Sequence, residues 1–344
     1  MSGRLVKLLG CAVLLVAAGA CSRQKEESQP GSQAATAEST PTPKPTTPAK
    51  VKLALNWVPE PEFGGFYAAR ESGAFARQGL DVEILGGGAG APVQQMVATG
   101  QAEFGISGAD EILTARARGL DVIPLFAVYQ TSPHAIMAHA SRGAKNIADV
   151  LSSGTVALEP GLSYVAYLKK KYGFDKVKVV PYDGGVARFL ADKNFAQQCF
   201  VTAEPLAAKR QGATPAVFLV AEEGFNPYLA VVITRRQYWK EQPERVKAFV
   251  AAVREGWRTY LDNPGPTNAV MAKLNTTMDA ETFAAAAEAQ KPLIDTEATR
   301  AQGLGTMSRK RWEQLAQQLV DLGTIEQAPA PDDYLVPEFV SARD

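Results

Sequence analysis

Residue types that make and break covalent bonds are scarce in this chain, whereas types that grip a planar molecule by its faces and edges are plentiful. The two histidines, His134 and His139, stand five positions apart across an apolar run that reads as a strand and its exit. They fall on opposite strand faces, so they are not placed to share a metal ion, and structural roles are expected for both. Cys199 is the one cysteine outside the N-terminal segment, which leaves neither an internal disulfide nor a zinc-ligand spacing. Gly86-Gly87-Gly88 is not followed by the Lys-Ser/Thr of a phosphate-binding loop, and no Gly-x-Ser-x-Gly elbow occurs. No metal, no cofactor and no catalytic residue is expected. Against this stand Trp57, Tyr67, Tyr129, Tyr164 and Tyr228, with Glu62, Asp110, Asp183 and Glu204, near the ends of apolar runs. Aromatic faces stack on flat rings, and carboxylates accept from ring amino groups. The chemistry these residues suit is reversible recognition.

The elements that must position them alternate between strand and helix. Short β-type runs at 51–55, 81–85, 103–106 and 122–129 are separated by helical patterns at 65–78, 92–99 and 109–118. A second set of strands follows at 155–158, 177–180, 198–202 and 217–220, with helices at 162–172, 186–192 and 204–211, and 229–234 reads as a returning strand. From Pro243 onward the pattern is helical. Alternation of this kind predicts mostly parallel sheets and an α/β fold of two lobes. The expected division is 51–137 with 230–326 for lobe I, 138–229 for lobe II, and a C-terminal tail at 327–344 running over the surface. Ligands of open α/β sheets sit outside the carboxyl ends of the strands, so a cleft between two such lobes would gather loops from both.

That placement nominates individual residues. Asn56 and Trp57 follow the first strand; Trp57 is expected either to stack on a ligand or to pack the interlobe hinge, with Glu62 and Tyr67 in the same loop and helix start. Gly87 and Gly88 permit close backbone approach, in a bare tight turn or against a ligand. Ser107 and Asp110 are placed to cap a helix, to bind, or both. Tyr129 ends a strand, Ser163 and Tyr164 offer a wall from lobe II, and Asp183 and Glu204 follow strands there. Asn226 and Tyr228 fall at the crossing back to lobe I, where hinge and ligand roles overlap.

The N-terminus indicates a compartment. Arg4 and Lys7 precede an apolar run from Leu8 to Ala20, too short to span a bilayer of about 30 Å as a helix. It ends in Ala18-Gly19-Ala20-Cys21, which resembles a bacterial lipobox and marks Cys21 for lipidation, with 1–21 as the signal segment. Residues 22–50 hold almost no large apolar side chains and are expected to be a disordered tether. Lys and Arg number 36 and Asp and Glu 36, interspersed without a basic stripe, so no nucleic-acid partner is indicated.

Seven pieces, in order, carry a family resemblance. They are Leu53-Ala54-Leu55-Asn56-Trp57-Val58-Pro59 with its following helix and strand to Glu83, the glycine loop at 86–90, and Gly100-Gln101-Ala102-Glu103-Phe104-Gly105. Ser107-Gly108-Ala109-Asp110, Glu159-Pro160-Gly161, Thr202-Ala203-Glu204-Pro205 and Phe225-Asn226-Pro227-Tyr228 complete the set. Together they resemble the solute-binding proteins for thiamine-precursor pyrimidines and sulfonates, over about residues 51–325. The resemblance implies a type II periplasmic-binding-protein fold whose lobes close on a small molecule. It also implies an extracytoplasmic location and an ABC importer permease and ATPase as partners; a monomer is expected. The family includes a pyrimidine synthase with a catalytic histidine in the first loop and a cysteine cluster. Aligned on Trp57-Val58-Pro59, Phe63 stands at that position here and Cys199 is solitary. Arg188 is the only arginine near the mapped strand ends, and bidentate arginine is what favours fully anionic ligands. The residue set therefore leans toward a neutral or amino-bearing heteroaromatic, a pyrimidine or a flavin, over a sulfonate or nitrate. A ligand sensor would carry the same residues.

Overall fold

The computed structural model describes residues 47–341. Two five-stranded mixed sheets form the scaffold. The first sheet contains β1 (Ala49–Ala54), β2 (Leu80–Leu85), β3 (Phe104–Ser107) and β4 (Val122–Tyr129). The second contains β5 (His134–His139), β6 (Thr155–Leu158), β7 (Lys178–Pro181), β8 (Phe195–Phe200) and β9 (Pro215–Leu219), and β10 (Leu229–Arg235) returns to the first. The orders are β2-β1-β3-β10-β4 and β7-β6-β8-β5-β9. In each sheet the strand that arrives from the other lobe, β10 or β5, inserts antiparallel between its neighbours. The remaining pairings run parallel, with β1 in register with β2 and β6 with β7 and β8. The two sheets are thus built on one plan, with equivalent strand ends available to a shared cleft.

The crossing from the first sheet to the second lies at 130–133, between β4 and β5. The expected boundary at 137/138 falls inside β5, whose residues 134–138 all pair with β8. The error has a physical source. β4 is buried throughout and β5 almost throughout, so 122–139 reads as one apolar stretch broken only by Gln130-Thr131-Ser132-Pro133. The C-terminal tail also departs from expectation. Tyr334, Leu335 and Val336 are buried. Arg116 lies over the Tyr334 ring and donates to the Asp333 carbonyl, while Ser341 N donates to Met307 O. The prolines of this tail suggested a surface path, but its Tyr-Leu-Val segment inserts into the core. Ala49 and Lys50, placed in the expected tether, belong to β1; residues 22–46 of that segment, and the expected signal segment with Cys21, lie outside the described residues.

The long helix Pro243–Asp262 organises the back of the first sheet. Pro243 opens it, and Val246, Phe249, Val250, Val253, Trp257 and Tyr260 recur at three- and four-residue spacing to give one apolar face. Phe249 stacks on Phe104 of β3 at 3.7 Å between ring centroids. The helix Gly64–Glu71 crosses it at very short range. A Cβ at Gly256 would lie 2.2 Å from the Gly65 carbonyl oxygen, and one at Gly65 would lie 2.2 Å from the Trp257 ring. This contact fixes the first loop of the cleft, because residues 56–63 lead directly into that helix. Replacing Gly256 with Ala is therefore expected to lower the urea midpoint by at least the equivalent of the roughly 1–3 kcal/mol typical of overpacking. An unchanged midpoint in urea-unfolding curves would show that the helix contact is not tight.

Candidate ligand-binding cleft

The two crossings are tied to each other. Asn226 accepts from Ser132 N at 2.8 Å through Oδ1, and its Nδ2 donates to Gln130 O at 3.4 Å. Arg311, on the helix Arg309–Asp321, donates through Nη2 to both Gln130 O and Asn226 O, each at 2.9 Å. Its guanidinium lies 3.7 Å over the Tyr228 ring, and the Tyr228 hydroxyl accepts from Ser308 N. Asn226 and Tyr228 thus have their side chains engaged at the hinge. Arg311 was invisible to strand-end reasoning because it arrives from a terminal helix, 85 residues beyond Asn226 in the chain.

Around the end of β1 the cleft is open. Trp57 is 42 % exposed, and the Oδ1 of half-buried Asn56 is shielded from water without a hydrogen-bond partner. A buried acceptor left this way costs free energy until a donor reaches it. Gly87 N donates to Trp57 O at 3.0 Å, and a Cβ at Gly87 would lie 2.1 Å from Leu55 O. Gly87 therefore serves close backbone packing, whereas Gly88 faces open space. A cavity of about 280 Å³ lies here, lined by the Leu85–Pro92 loop with Ala54, Leu55 and Met96. Ser107 does not contribute a free hydroxyl. It is fully buried, donates to Glu111 Oε2 at 2.9 Å and accepts from Gln94 Nε2 at 2.7 Å.

The second feature is a group of carboxyls with no cation paired to them among the described residues. Glu60 and Glu62 flank Pro61 in the turn after β1, and Glu204 opens the helix Glu204–Arg210 of the other lobe. Burial, then the Glu204 charge, pushes the Glu60 carboxyl from 4.5 up to about 7. Burial and Glu60 together hold Glu62 well above the usual carboxylate range. Among the described residues neither side chain has an ion-pair or hydrogen-bond partner. Glu204 is held by Tyr182, whose hydroxyl donates to Oε1 at 2.6 Å, and by Phe200 N, which donates to Oε2 at 2.7 Å. Tyr129 donates to Gln290 Oε1 at 2.7 Å, and Gln290 donates to Pro61 O at 2.9 Å, fastening the acidic turn to the end of β4. Tyr164 stacks on His134 with centroids 4.6 Å apart, and burial lowers the His134 imidazole to about 4, so the ring is neutral. Burial raises the nearby Cys199 thiol, with Glu204 adding to the effect.

Several residues nominated from the sequence lie elsewhere. Tyr67 is 1 % exposed within the first hydrophobic core, because the helix carrying it is covered by Pro243–Asp262. Asp183 is exposed past β7, an edge strand of the second sheet; its neighbour Tyr182 is the residue that reaches Glu204. Asp110 and Ser163 do come together, since Ser163, from the other lobe, is close enough to oppose the rise of the Asp110 carboxyl. Glu60, Tyr182 and Arg311 were missed. The available signal for Glu60 was its spacing from Glu62, two carboxyls straddling a proline.

Two matching α/β lobes joined by two crossings, with a cleft at their strand ends, define the type II periplasmic-binding-protein fold. The chain belongs to the NMT1/THI5-like family, whose model matches residues 60–266. It is 27 % identical over 241 residues to the riboflavin-binding protein RibY of Chloroflexus aurantiacus, covering 67 % of this chain and 68 % of that one. It is 24 % identical over 221 residues to the formylaminopyrimidine-binding protein of Halalkalibacterium halodurans, covering 62 % and 67 %. A 4-amino-5-hydroxymethyl-2-methylpyrimidine phosphate synthase of Saccharomyces cerevisiae is 23 % identical over 240 residues, covering 62 % and 71 %. In structure, the periplasmic aliphatic sulphonate binding protein SsuA of Escherichia coli aligns with a TM-score of 0.66 at 14 % identity, over 84 % of this chain and 92 % of that one.

Burial and the Glu111 charge raise the Asp110 carboxyl from 3.8 to about 6. A carboxyl that binds its proton more tightly in the native state costs stability as pH rises from about 4 through 6, and the cost persists above. Asp110→Asn is therefore expected to match wild type near pH 3.5 and to exceed it at pH 7.5 by roughly 1–3 kcal/mol, since each tenfold change in proton affinity corresponds to about 1.4 kcal/mol. Urea unfolding at the two pH values checks this; a variant weaker than wild type at pH 7.5 would mean that the ionised carboxylate stabilises the fold.

Proposed function

We propose that this protein is the extracytoplasmic solute-binding component of an ABC importer. It captures a neutral or amino-bearing heteroaromatic molecule, of the thiamine-precursor pyrimidine or flavin kind, by closing two lobes about the crossings at 130–133 and 224–228. The observation that carries the reading is the pairing of an exposed indole with an acceptor-rich wall. Trp57 presents a ring face, Asn56 Oδ1 lacks a donor, and Glu60 and Glu62 lack cations. A flat ring bearing N–H groups satisfies all of these at once, by stacking and by donating. An anionic sulfonate would meet carboxyls, and Arg311 is turned onto two carbonyls and the Tyr228 ring. The names of the riboflavin- and formylaminopyrimidine-binding relatives agree with this ligand class.

The reading is of a non-enzyme, although the yeast relative is named as a synthase. Phe63 is fully buried, and burial raises the Cys199 thiol, which disfavours the nucleophilic thiolate. Closure follows from differential affinity: a ligand that touches both lobes favours their closed arrangement, and the importer permease would engage that form. Lipidation of Cys21 would hold the protein at the membrane, with the segment at 22–46 as its tether.

Titration calorimetry with a 4-aminopyrimidine, riboflavin and an aliphatic sulfonate tests the proposal. One or both heteroaromatics are expected to bind and to quench the Trp57 emission, with the sulfonate silent. Asn56→Ala and Trp57→Ala should each weaken that binding by about tenfold or more, the equivalent of roughly 1.4 kcal/mol. Preferential binding of the sulfonate would overturn the ligand class.

A further inference from the structure

The two histidines of the chain are used differently. His139 belongs to the interior of the second lobe: its ring stacks on Phe189 with centroids 4.0 Å apart, and its Nε2 meets the Phe189 carbonyl oxygen at 2.6 Å. His134 opens β5, directly after the crossing at 130–133. β5 runs antiparallel to β8, and His134 pairs with Phe200, the last residue of that strand. His134 therefore stands at the carboxyl edge of the second sheet, where ligands of such sheets bind. Glu204 is held at the same edge, since Phe200 N is one of its donors. Tyr164 covers one face of the His134 ring at 4.6 Å between centroids, and Phe200 stands edge-on to it at 4.8 Å. Even so, His134 is only half-buried, whereas Ser132, Pro133 and Ala135 around it are buried.

Hydrogen-bond accounting fixes the tautomer of this ring. Ser132 Oγ lies 3.1 Å from His134 Nδ1, and Ser132 is 1 % exposed. Among the described residues the Ser132 hydroxyl proton has no other acceptor. A proton on Nδ1 would leave that hydroxyl as a buried donor without a partner, which is costly. Ser132 Oγ–H therefore donates to Nδ1, and the single proton of the neutral imidazole sits on Nε2. Nε2 itself has no hydrogen-bond partner among the described residues. We infer that His134 presents this Nε2–H to the captured ligand from lobe II, so that the ligand carries an acceptor, a ring nitrogen or a carbonyl oxygen, as well as N–H groups. The inference rests on the capture reading above and sharpens it. Glu60, Glu62 and Asn56 Oδ1 only accept, so a ring bearing donors alone would leave His134 unanswered, and a ring bearing acceptors alone would meet the carboxyls. Ser132 N also donates to Asn226 Oδ1 at 2.8 Å, so the residue that orients the imidazole is tied to the returning crossing.

Two measurements on the purified protein test this. Long-range proton–nitrogen NMR of protein labelled at its two histidines reads each tautomer, with His139, whose Nε2 must donate to the Phe189 carbonyl, as the reference in the same spectrum. Riboflavin and a 4-aminopyrimidine are then titrated calorimetrically into wild type, His134→Phe and His134→Gln. Phenylalanine keeps a stacking ring without an N–H, the glutamine amide can stand in for Nε2–H, and thermal unfolding checks that each variant is folded. His134 is expected as the Nε2–H tautomer, with its Nε2 resonance moving when a probe binds. His134→Phe should bind that probe about tenfold more weakly, and His134→Gln should recover most of the loss. An Nδ1–H tautomer would overturn the inference, as would a folded His134→Phe that binds as tightly as wild type. Should His134→Phe fail to fold, an Nε2 resonance unmoved at saturation overturns it instead. If a probe binds and His134 takes no part, the capture reading survives alone. If neither probe binds wild type, the ligand class falls, and the tautomer decides whether the donor stands.

Discussion

Carboxyls from both lobes, Glu60 and Glu62 from one and Glu204 from the other, stand without a counter-cation among the described residues, and this unbalanced charge is the constraint around which the site is built. It is tolerated because both sides are braced. Gln290 clamps the Glu60–Glu62 turn through Pro61 O and Tyr129, and Tyr182 with Phe200 N clamps Glu204. Carboxyls exposed to water would relax apart at little cost; Glu60 and Glu62 are partly buried, and that burial, before any neighbouring charge, raises their proton affinity. The same bracing holds in place the carboxyls that the proposed reading uses as acceptors. Trp57 and the unsatisfied Asn56 Oδ1 stand at the end of the strand that leads into that wall.

The hinge is a second, separate network. Arg311 bonds one carbonyl from each crossing and covers Tyr228, while Asn226 bridges the same two segments. A single side chain from a distant helix thus couples both connections. The buried tail at Tyr334–Val336 helps hold that helix, through the contact of Tyr334 with Trp312. Residues well outside the cleft therefore bear on how the lobes turn.

How much of this was legible in the sequence follows from what each kind of signal encodes. Alternating apolar runs revealed the two-lobe α/β plan, and strand-end position nominated Asn56, Trp57, Glu62 and Glu204, which the proposed reading uses, whereas Tyr164 is buried and stacks on His134. Side-chain direction within a turn or helix was not encoded. Tyr67 turned inward under Pro243–Asp262, and Tyr182 in place of Asp183 reached Glu204. Long-range partners were hidden too: Arg311 and Gln290 enter from terminal helices, 181 residues from Gln130 and 229 residues from Pro61 in the chain. The boundary at 130–133 was blurred because strands on either side of a short crossing are equally apolar.

On the proposed reading the cleft accepts hydrogen bonds from a flat, amino-bearing ring and should retain such a molecule through gentle purification. Native mass spectrometry of the protein before and after denaturation tests this most directly. Release of a small neutral or cationic heteroaromatic with ring N–H groups and near-ultraviolet absorbance is the expected result. Release of a sulfonate or another anion without a ring would contradict it.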